Sequence, residues 1–235
     1  AANKAKREEK NEIFQVTNEL FSGNKFFMEK LDHIRNCILD NFKGFYLVYQ
    51  PIVSAQNGEL TGVEALIRWK DDIFGFVPPN EFIEWLEGDA IFYELGNWII
   101  RQAIRDTRDM VAKYPDMLIN INLAYPQLQN TNFNSDLCDI MKEEGFNPKN
   151  FNLELTERCK FSNIDNLKSS IAFFKSMGIS SALDDFGTGY SALDLMVELQ
   201  VDEIKIDKSF IQDIDADISR QSLLKAITTC ADDLG

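Results

Sequence analysis

The sequence predicts an α/β fold: a mostly parallel sheet flanked by helices, with a TIM-type barrel as the form that best fits its polar residues. Three observations carry this. Short apolar runs alternate with helical stretches over the second half of the chain. Strand–helix alternation of this kind builds a parallel sheet with helices outside it. Two apolar, β-branched runs near the front are joined by a turn-rich segment, the pattern of a hairpin. Each strand also carries a polar residue near its C-terminal end. In parallel barrels that is where active sites are built.

Taken in order, residues 1–43 read as a charged, helix-rich lead-in. Ala1 to Lys10 is nearly all helix formers, and Ile13 to Thr17 fits a short strand. Phe26, Phe27, Leu31, Ile34 and Ile38 recur at helical spacing and predict an amphipathic helix over about Lys25 to Asp40. The main domain, residues 44–235, opens with Phe45 to Val53 and Thr61 to Trp69, joined by Ser54 to Gly58. Helical patterns follow at Pro79 to Leu86 and Phe92 to Tyr114. Four further strand runs are Met117–Leu123, Phe151–Thr156, Ile179–Leu183 and Val201–Ile206. Between them lie helices over about Phe133–Gly145, Asn163–Met177 and Ser191–Glu198, with a last one over about Ser219–Leu234. Gly145 and Gly178 stand where helices end in a left-handed residue.

Period two places these polar groups on shared strand faces. Gly62, Glu64, Leu66 and Arg68 fall together, as do Asn120 with Asn122, Glu154 with Thr156, and Lys205 with Asp207. Asp184 and Asp185 close the run from Ile179 and lead into Phe186-Gly187-Thr188-Gly189. Adjacent carboxylates at a strand end repel unless a cation lies between them. An Asp turn before a glycine loop is the simpler reading of that segment taken alone.

Composition removes several function classes. The chain has 235 residues, 45% apolar, with 24 basic and 38 acidic side chains and a net charge of −14. So acidic a surface disfavours general DNA or RNA binding. No run of about 18 apolar residues exists to span a membrane. Cys37, Cys138, Cys159 and Cys230 are scattered without a C-x-x-C pair, which points to reduced thiols in a cytoplasmic protein rather than a disulfide framework or zinc site. The single histidine, His33, reads as a helix-surface residue. Histidine-based triads and HExxH sites are therefore excluded within this chain.

If Glu64, Asn122, Glu154, Asp184 and Asp185 converge, they supply four carboxylates and one amide, all oxygen donors. Such a set suits Mg²⁺ or Mn²⁺ and disfavours zinc. Two ions could activate a water and hold a phosphate oxygen. Arg68 can grip a phosphate with two parallel hydrogen bonds. Lys205 can orient water or neutralise developing charge, and can equally be a structural ion pair with Asp207 or a nearby carboxylate. Together these groups point to phosphate-ester hydrolysis.

The motifs resemble those of the EAL family of cyclic di-GMP phosphodiesterases. Glu64-Ala65-Leu66, within Glu64-Ala65-Leu66-Ile67-Arg68-Trp69, is similar to the signature that names it. Tyr49-Gln50-Pro51-Ile52, Ile121-Asn122-Leu123-Ala124, Glu154-Leu155-Thr156-Glu157, Asp184 to Ser191 and Lys205-Ile206-Asp207 follow in family order. The resemblance implies a modified TIM barrel with an antiparallel first strand, and hydrolysis of cyclic di-GMP to linear pGpG with Mg²⁺ or Mn²⁺. It implies Glu64, Asn122, Glu154, Asp184 and Asp185 as metal ligands, with Glu64, Asp185 and Lys205 at the reaction and Lys205 on the catalytic water. Gln50, Leu66 and Arg68 contact the dinucleotide, and Asp207 supports the lysine or the metals beside it. Glu157 holds the Asp-Asp loop, which also lies at the family's dimer contact.

Three departures accompany the resemblance. Ala124 stands where the family usually has Ser. The segment Phe82 to Gly88 lacks the usual Pro-x-Ala-Glu form, though Glu87 keeps the acidic position. After Gly235 the family barrel would add two strands, a helix and a further glutamate, so the chain reads as a C-terminally incomplete piece that turns over poorly alone. The run from Asn3 to Phe14 faintly resembles the end of a GGDEF domain, an expected upstream neighbour besides a sensor. The competing reading is a receptor that holds cyclic di-GMP without cutting it.

Overall fold

A computed structural model describes residues 18–156, 164–187 and 192–234. The predicted strand at Ile13–Thr17, the GGDEF-like run, Cys159, Glu157 and the Thr188–Ser191 part of the glycine loop lie outside the described residues. Helix α1 spans Asn18–Leu39, and the hairpin β1 (Phe45–Val53) and β2 (Leu60–Asp71) follows. Strand β3 (Gly75–Val77) extends β2 through a short turn that the sequence reading did not anticipate. Helices α2 (Pro79–Leu86) and α3 (Ile91–Lys113) come next. The rest alternates: β4 (Leu118–Leu123), α4 (Tyr125–Leu128), α5 (Phe133–Glu144), β5 (Phe151–Thr156), α6 (Ile164–Met177), β6 (Ser180–Phe186), α7 (Ala192–Leu199), β7 (Glu203–Ile206), α8 (Lys208–Ile211) and α9 (Ile218–Leu234).

The strands form one sheet in the order β1-β2-β4-β5-β6-β7, with β3 on β2. β1 and β3 run antiparallel to β2, and every later pairing is parallel. Among the described residues β1 and β7 do not pair, so the sheet is an unclosed, barrel-like α/β arrangement. The antiparallel opening strand agrees with the hairpin pattern.

Strand periodicity sorts the chain into two chemistries. Val63, Ala65, Ile67 and Trp69 of β2 are buried, as are Ile119, Ile121 and Leu123 of β4 and Phe151, Leu153 and Leu155 of β5. These belong to one apolar core with residues of the flanking helices, such as Leu95 and Ile100 of α3 and Phe174 of α6. Full burial of each such side chain is worth about 1.5–3 kcal/mol. The alternate positions carry Glu64, Leu66, Arg68, Asn120, Asn122, Asn152 and Glu154. Even the buried amides there are tied together, Asn152 donating to Asn120 Oδ1 at 2.7 Å and to Glu203 Oε2 at 2.9 Å.

The lead-in is not wholly separate from this core. Leu31, Ile34, Cys37 and Ile38 of α1 are buried in it, whereas Phe27, expected on the same face, is exposed. His33 is not a free surface residue either. It is half-buried, with Nε2 2.7 Å from Asp71 Oδ2. Asp71 comes from the far end of β2, a partner that sequence spacing on a single helix does not show. Helices α5 and α6 end as expected on Gly145 and Gly178 in left-handed backbone, φ 59° and 80°.

Helices α3 and α5 are joined by charge. Arg105 donates to Glu144 Oε1 from Nε at 3.0 Å and Nη2 at 2.6 Å, and Arg101 and Arg108 lie 3.7 and 3.5 Å from the same carboxylate. Arg105 foremost, with Arg101 and Arg108, holds the Glu144 carboxyl below its usual range. A depressed carboxyl stabilises above its unfolded pKa, about 4.3, and that stability is lost as pH falls through the lower folded value. Solvent screens the arginines, so the network contributes about 0.5–1 kcal/mol. Glu144→Gln is expected to lower the melting temperature by roughly 1–4 °C near neutrality. Thermal melts should show that difference shrinking as pH drops below about 4.

Candidate active site

Parallel register brings the acidic positions of neighbouring strands level. Glu64 pairs with Asn120 across β2 and β4, Asn122 with Glu154 across β4 and β5, and Thr156 with Asp184 across β5 and β6. Because all these strands point the same way, their polar ends gather at one rim of the sheet. On the antiparallel side, Gln50 lies directly opposite Glu64, so both side chains share a face.

The centre of the cluster is Lys205 from β7. Its Nζ lies 2.6 Å from Glu154 Oε2, 3.1 Å from Glu64 Oε2 and 3.4 Å from Asp184 Oδ1. Asn122 closes the ring by donating to Glu64 Oε1 at 2.9 Å. Burial alone would lower the lysine's pKa. Its pairs with Glu154, then Asp184 and Glu64, outweigh that and hold the ammonium charged well above its usual range.

Glu154 is the most constrained member. It is fully buried, with the Lys205 ammonium 2.6 Å from Oε2. Burial, opposed by Lys205 and reinforced by the charges of Glu64 and Asp184, pushes its carboxyl up to about 7. A buried carboxylate is expensive unless a cation is close. The donor set around it is oxygen only, which suits a hard divalent ion. Such an ion would compete with the Lys205 ammonium for the same oxygens.

The remaining predicted residues flank this ring. Asp185 is exposed at the end of β6, with φ 54°, a left-handed conformation that Asp tolerates better than most residues. Gly187 follows at φ 99°, and a Cβ there would fall 2.5 Å from the Phe210 ring, so this turn packs only as glycine. Leu66, Arg68, Asn122 and Asp185 line a cavity of about 600 Å³. It runs under α2 and α3, walled by Ile83, Phe92, Leu95 and Ile99, with Glu87 and Gln127 among its polar groups. Arg68 Nη1 donates to the Ile67 carbonyl at 2.8 Å. Asp207 has a definite structural job: it caps α8, accepting from Ser209 N at 2.9 Å.

Sequence reasoning placed Glu64, Asn122, Glu154, Asp184 and Asp185 together, with Lys205 beside them; the structure brings Glu64, Asn122, Glu154, Asp184 and Lys205 into one contact network and leaves Asp185 exposed at the end of β6. It did not anticipate that Lys205 sits at the centre, or that Gln127 and the apolar side chains of α3 wall the adjoining cavity. A helix residue facing a cavity carries the same periodicity as one facing the core, so no sequence signal separates them.

Fold and rim together define a TIM-barrel-like α/β protein with an acidic, lysine-centred site at the carboxyl ends of its strands. The EAL domain family model matches residues 35–235. The chain belongs to this family. It is 32% identical over 193 residues to a cyclic di-GMP phosphodiesterase of Pseudomonas aeruginosa, covering 82% of this chain and 33% of that protein. It is 35% identical over 187 residues to the cyclic di-GMP phosphodiesterase PdeR of Escherichia coli K12, covering 78% of this chain and 28% of that protein. The solved PaMucR phosphodiesterase, in complex with cyclic di-GMP, superposes with a TM-score of 0.78 at 29% identity, covering 87% of this chain and 83% of that one. The chain thus spans about a third or less of the curated relatives named here.

The ring predicts its own energetics. Lys205→Met leaves three carboxylates facing one another and should cost about 2 kcal/mol, less than the ~3–5 of a fully buried pair because the lysine is partly solvated. Adding Glu154→Gln to that variant should recover most of the loss. Denaturant unfolding of the two single variants and the double would measure the coupling, and additive effects would show that the pair does not act as a unit.

Proposed function

We propose that this chain carries the phosphodiesterase domain, residues 44–235, of a protein that hydrolyses cyclic di-GMP to linear pGpG in bacterial second-messenger signalling. Residues 1–43 are its lead-in from an upstream GGDEF or sensor domain. The observation that carries the reading is the fully buried Glu154, which shares the Lys205 ammonium with Glu64 and Asp184 while Asn122 donates to Glu64. A lone structural ion pair would not need so many carboxylates at one strand rim.

Glu64, Asn122, Glu154, Asp184 and Asp185 are the groups that would hold Mg²⁺ or Mn²⁺, as a two-ion site. When bound, the metal supplies a water of lowered pKa and offsets charge on the phosphate. Lys205, charged at physiological pH, orients that water and balances the carboxylates. Arg68 grips a phosphate, while Leu66 and the apolar wall beneath α3 take a planar base from water. Gln50, level with Glu64, contacts the dinucleotide from the open side. Asp207 steadies the end of β7 through its cap on α8, and so steadies Lys205 two residues earlier. Glu157 is assigned to holding the Asp-Asp loop. The protein acts in the cytoplasm as a homodimer with that loop near the contact. Among the described residues no helix is long and apolar enough to cross a membrane.

The parent protein with Mg²⁺ should convert cyclic di-GMP to pGpG, read by chromatography of the products. Tight binding without product would instead support a receptor. Glu64→Ala should abolish turnover, and full activity in that variant would remove Glu64 from the reaction. Millimolar Mg²⁺ or Mn²⁺ should raise the melting temperature of the wild-type chain, since a ligand of the folded state stabilises it by mass action. Glu154→Gln should lose that rise.

A further inference from the structure

We propose a second metal centre, for Zn²⁺, formed by His33, Cys37 and Asp71. It is distinct from the carboxylate ring and uses different donor chemistry. His33 and Cys37 lie one turn apart on α1, and Asp71 reaches them from the end of β2. Cys37 Sγ is 3.7 Å from His33 Nε2 and 3.8 Å from Asp71 Oδ2, and Nε2 and Oδ2 are 2.7 Å apart. Among the described residues this is the one set of three His, Cys, Asp or Glu side chains whose ligand atoms lie so close together. Glu64, Glu154 and Asp184, with an ammonium between them, are not such a set.

The spacing is that of one face of a tetrahedron. Zinc bonds of about 2.0–2.3 Å imply ligand–ligand edges of roughly 3.3–3.8 Å. Both edges from the sulfur already meet this. Only the Nε2–Oδ2 edge is short, because it is now a hydrogen bond, and it must open by roughly 0.5 Å. Binding would release the Cys37 thiol proton and displace the proton that Nε2 now shares with Asp71, so that the neutral imidazole carries its proton on Nδ1 and Nε2 is the ligand. A mixed nitrogen, sulfur and oxygen set suits zinc and not magnesium.

The carboxylate is held in readiness. Asp71 Oδ1 accepts from Ile73 N at 2.8 Å and Phe74 N at 2.9 Å, which turns Oδ2 toward the cluster. The Phe74 ring packs edge-on against the His33 imidazole, with centroids 5.4 Å apart, and restricts its rotation. Outer contacts of this kind fix ligand orientation at metal sites. Cys37 and Asp71 are buried, while the His33 side chain keeps 28% exposure and leaves an entry for the ion and a fourth, water ligand. Asp71 lies seven residues along β2 from Glu64, about 23 Å for an extended strand. Bound zinc would clamp α1 to the β2–β3 turn, on the strand that carries Glu64 and Arg68.

The test is metal binding to the chelator-treated chain, read by metal content and by the spectrum of the Co²⁺-substituted form. A thiolate-to-cobalt charge-transfer band is expected, with visible bands of tetrahedral intensity; oxygen ligands alone give no such band. Cys37→Ser should lose one zinc equivalent and the band, and Cys230→Ser should keep both. His33→Gln, which retains the thiol at a partly exposed position, should bind at least ~10-fold more weakly. Absence of the thiolate band from folded wild-type protein would overturn the proposal. So would its persistence in Cys37→Ser. Since Co²⁺ at the carboxylate ring produces no thiolate band, these outcomes stand apart from any result on cyclic di-GMP.

Discussion

The Lys205 ammonium, seated among Glu64, Glu154 and Asp184, is the interaction on which the rim of this fold depends. Parallel pairing of β2, β4, β5, β6 and β7 forces the polar ends of those strands to one side. Without a central cation the carboxylates would repel, and Glu154 could not stay buried and ionised. Burial, with the charges of Glu64 and Asp184, pushes the Glu154 carboxyl up even with the ammonium beside it. Strongly perturbed groups of this kind cluster at functional sites.

The rest of the chain serves to make that state tolerable. Every strand that brings a carboxylate or amide to the rim turns alternate residues into an apolar core beneath the helices, and that burial offsets the repulsion. β7 shows the cost of weak support. It is the shortest strand of the barrel path and lies at its edge, yet it carries the central cation. Asp207 compensates by capping α8 directly after the strand. A residue expected to act at the site therefore has a local structural role as well, and the two are compatible, since fixing α8 also fixes the direction of β7.

Much of this was legible in the sequence because period two and strand order are both written there. Phe45–Val53 and Phe151–Thr156 match the observed strands, and the polar positions on β2, β4, β5, β6 and β7 were identifiable before any geometry. The illegible parts share one cause: they depend on contacts between segments far apart in sequence. His33 looked like a surface residue because its partner, Asp71, lies 38 positions away on another element. The cavity beneath α3 was hidden because Phe92, Leu95 and Ile99 have the same helical spacing whether they face a void or a packed core. The strand β3 was missed because three residues carry too little periodicity to register.

Strand β2 gives these separate contacts a common frame. Its middle carries Glu64, Leu66 and Arg68 toward the oxygen-rich rim, and its end carries Asp71 toward a thiol and an imidazole on α1. The two clusters differ in chemistry, one all oxygen and one with sulfur and nitrogen, so the same ion would not suit both. They are also joined along one continuous strand, paired with β4 at Gly62–Ala65, with β1 as far as Trp69 and with β3 from Trp69 to Asp71. Helix α1 is the element through which any upstream segment enters the domain, and its hold on the barrel runs through the buried residues Leu31, Ile34 and Ile38 and through the His33–Asp71 contact.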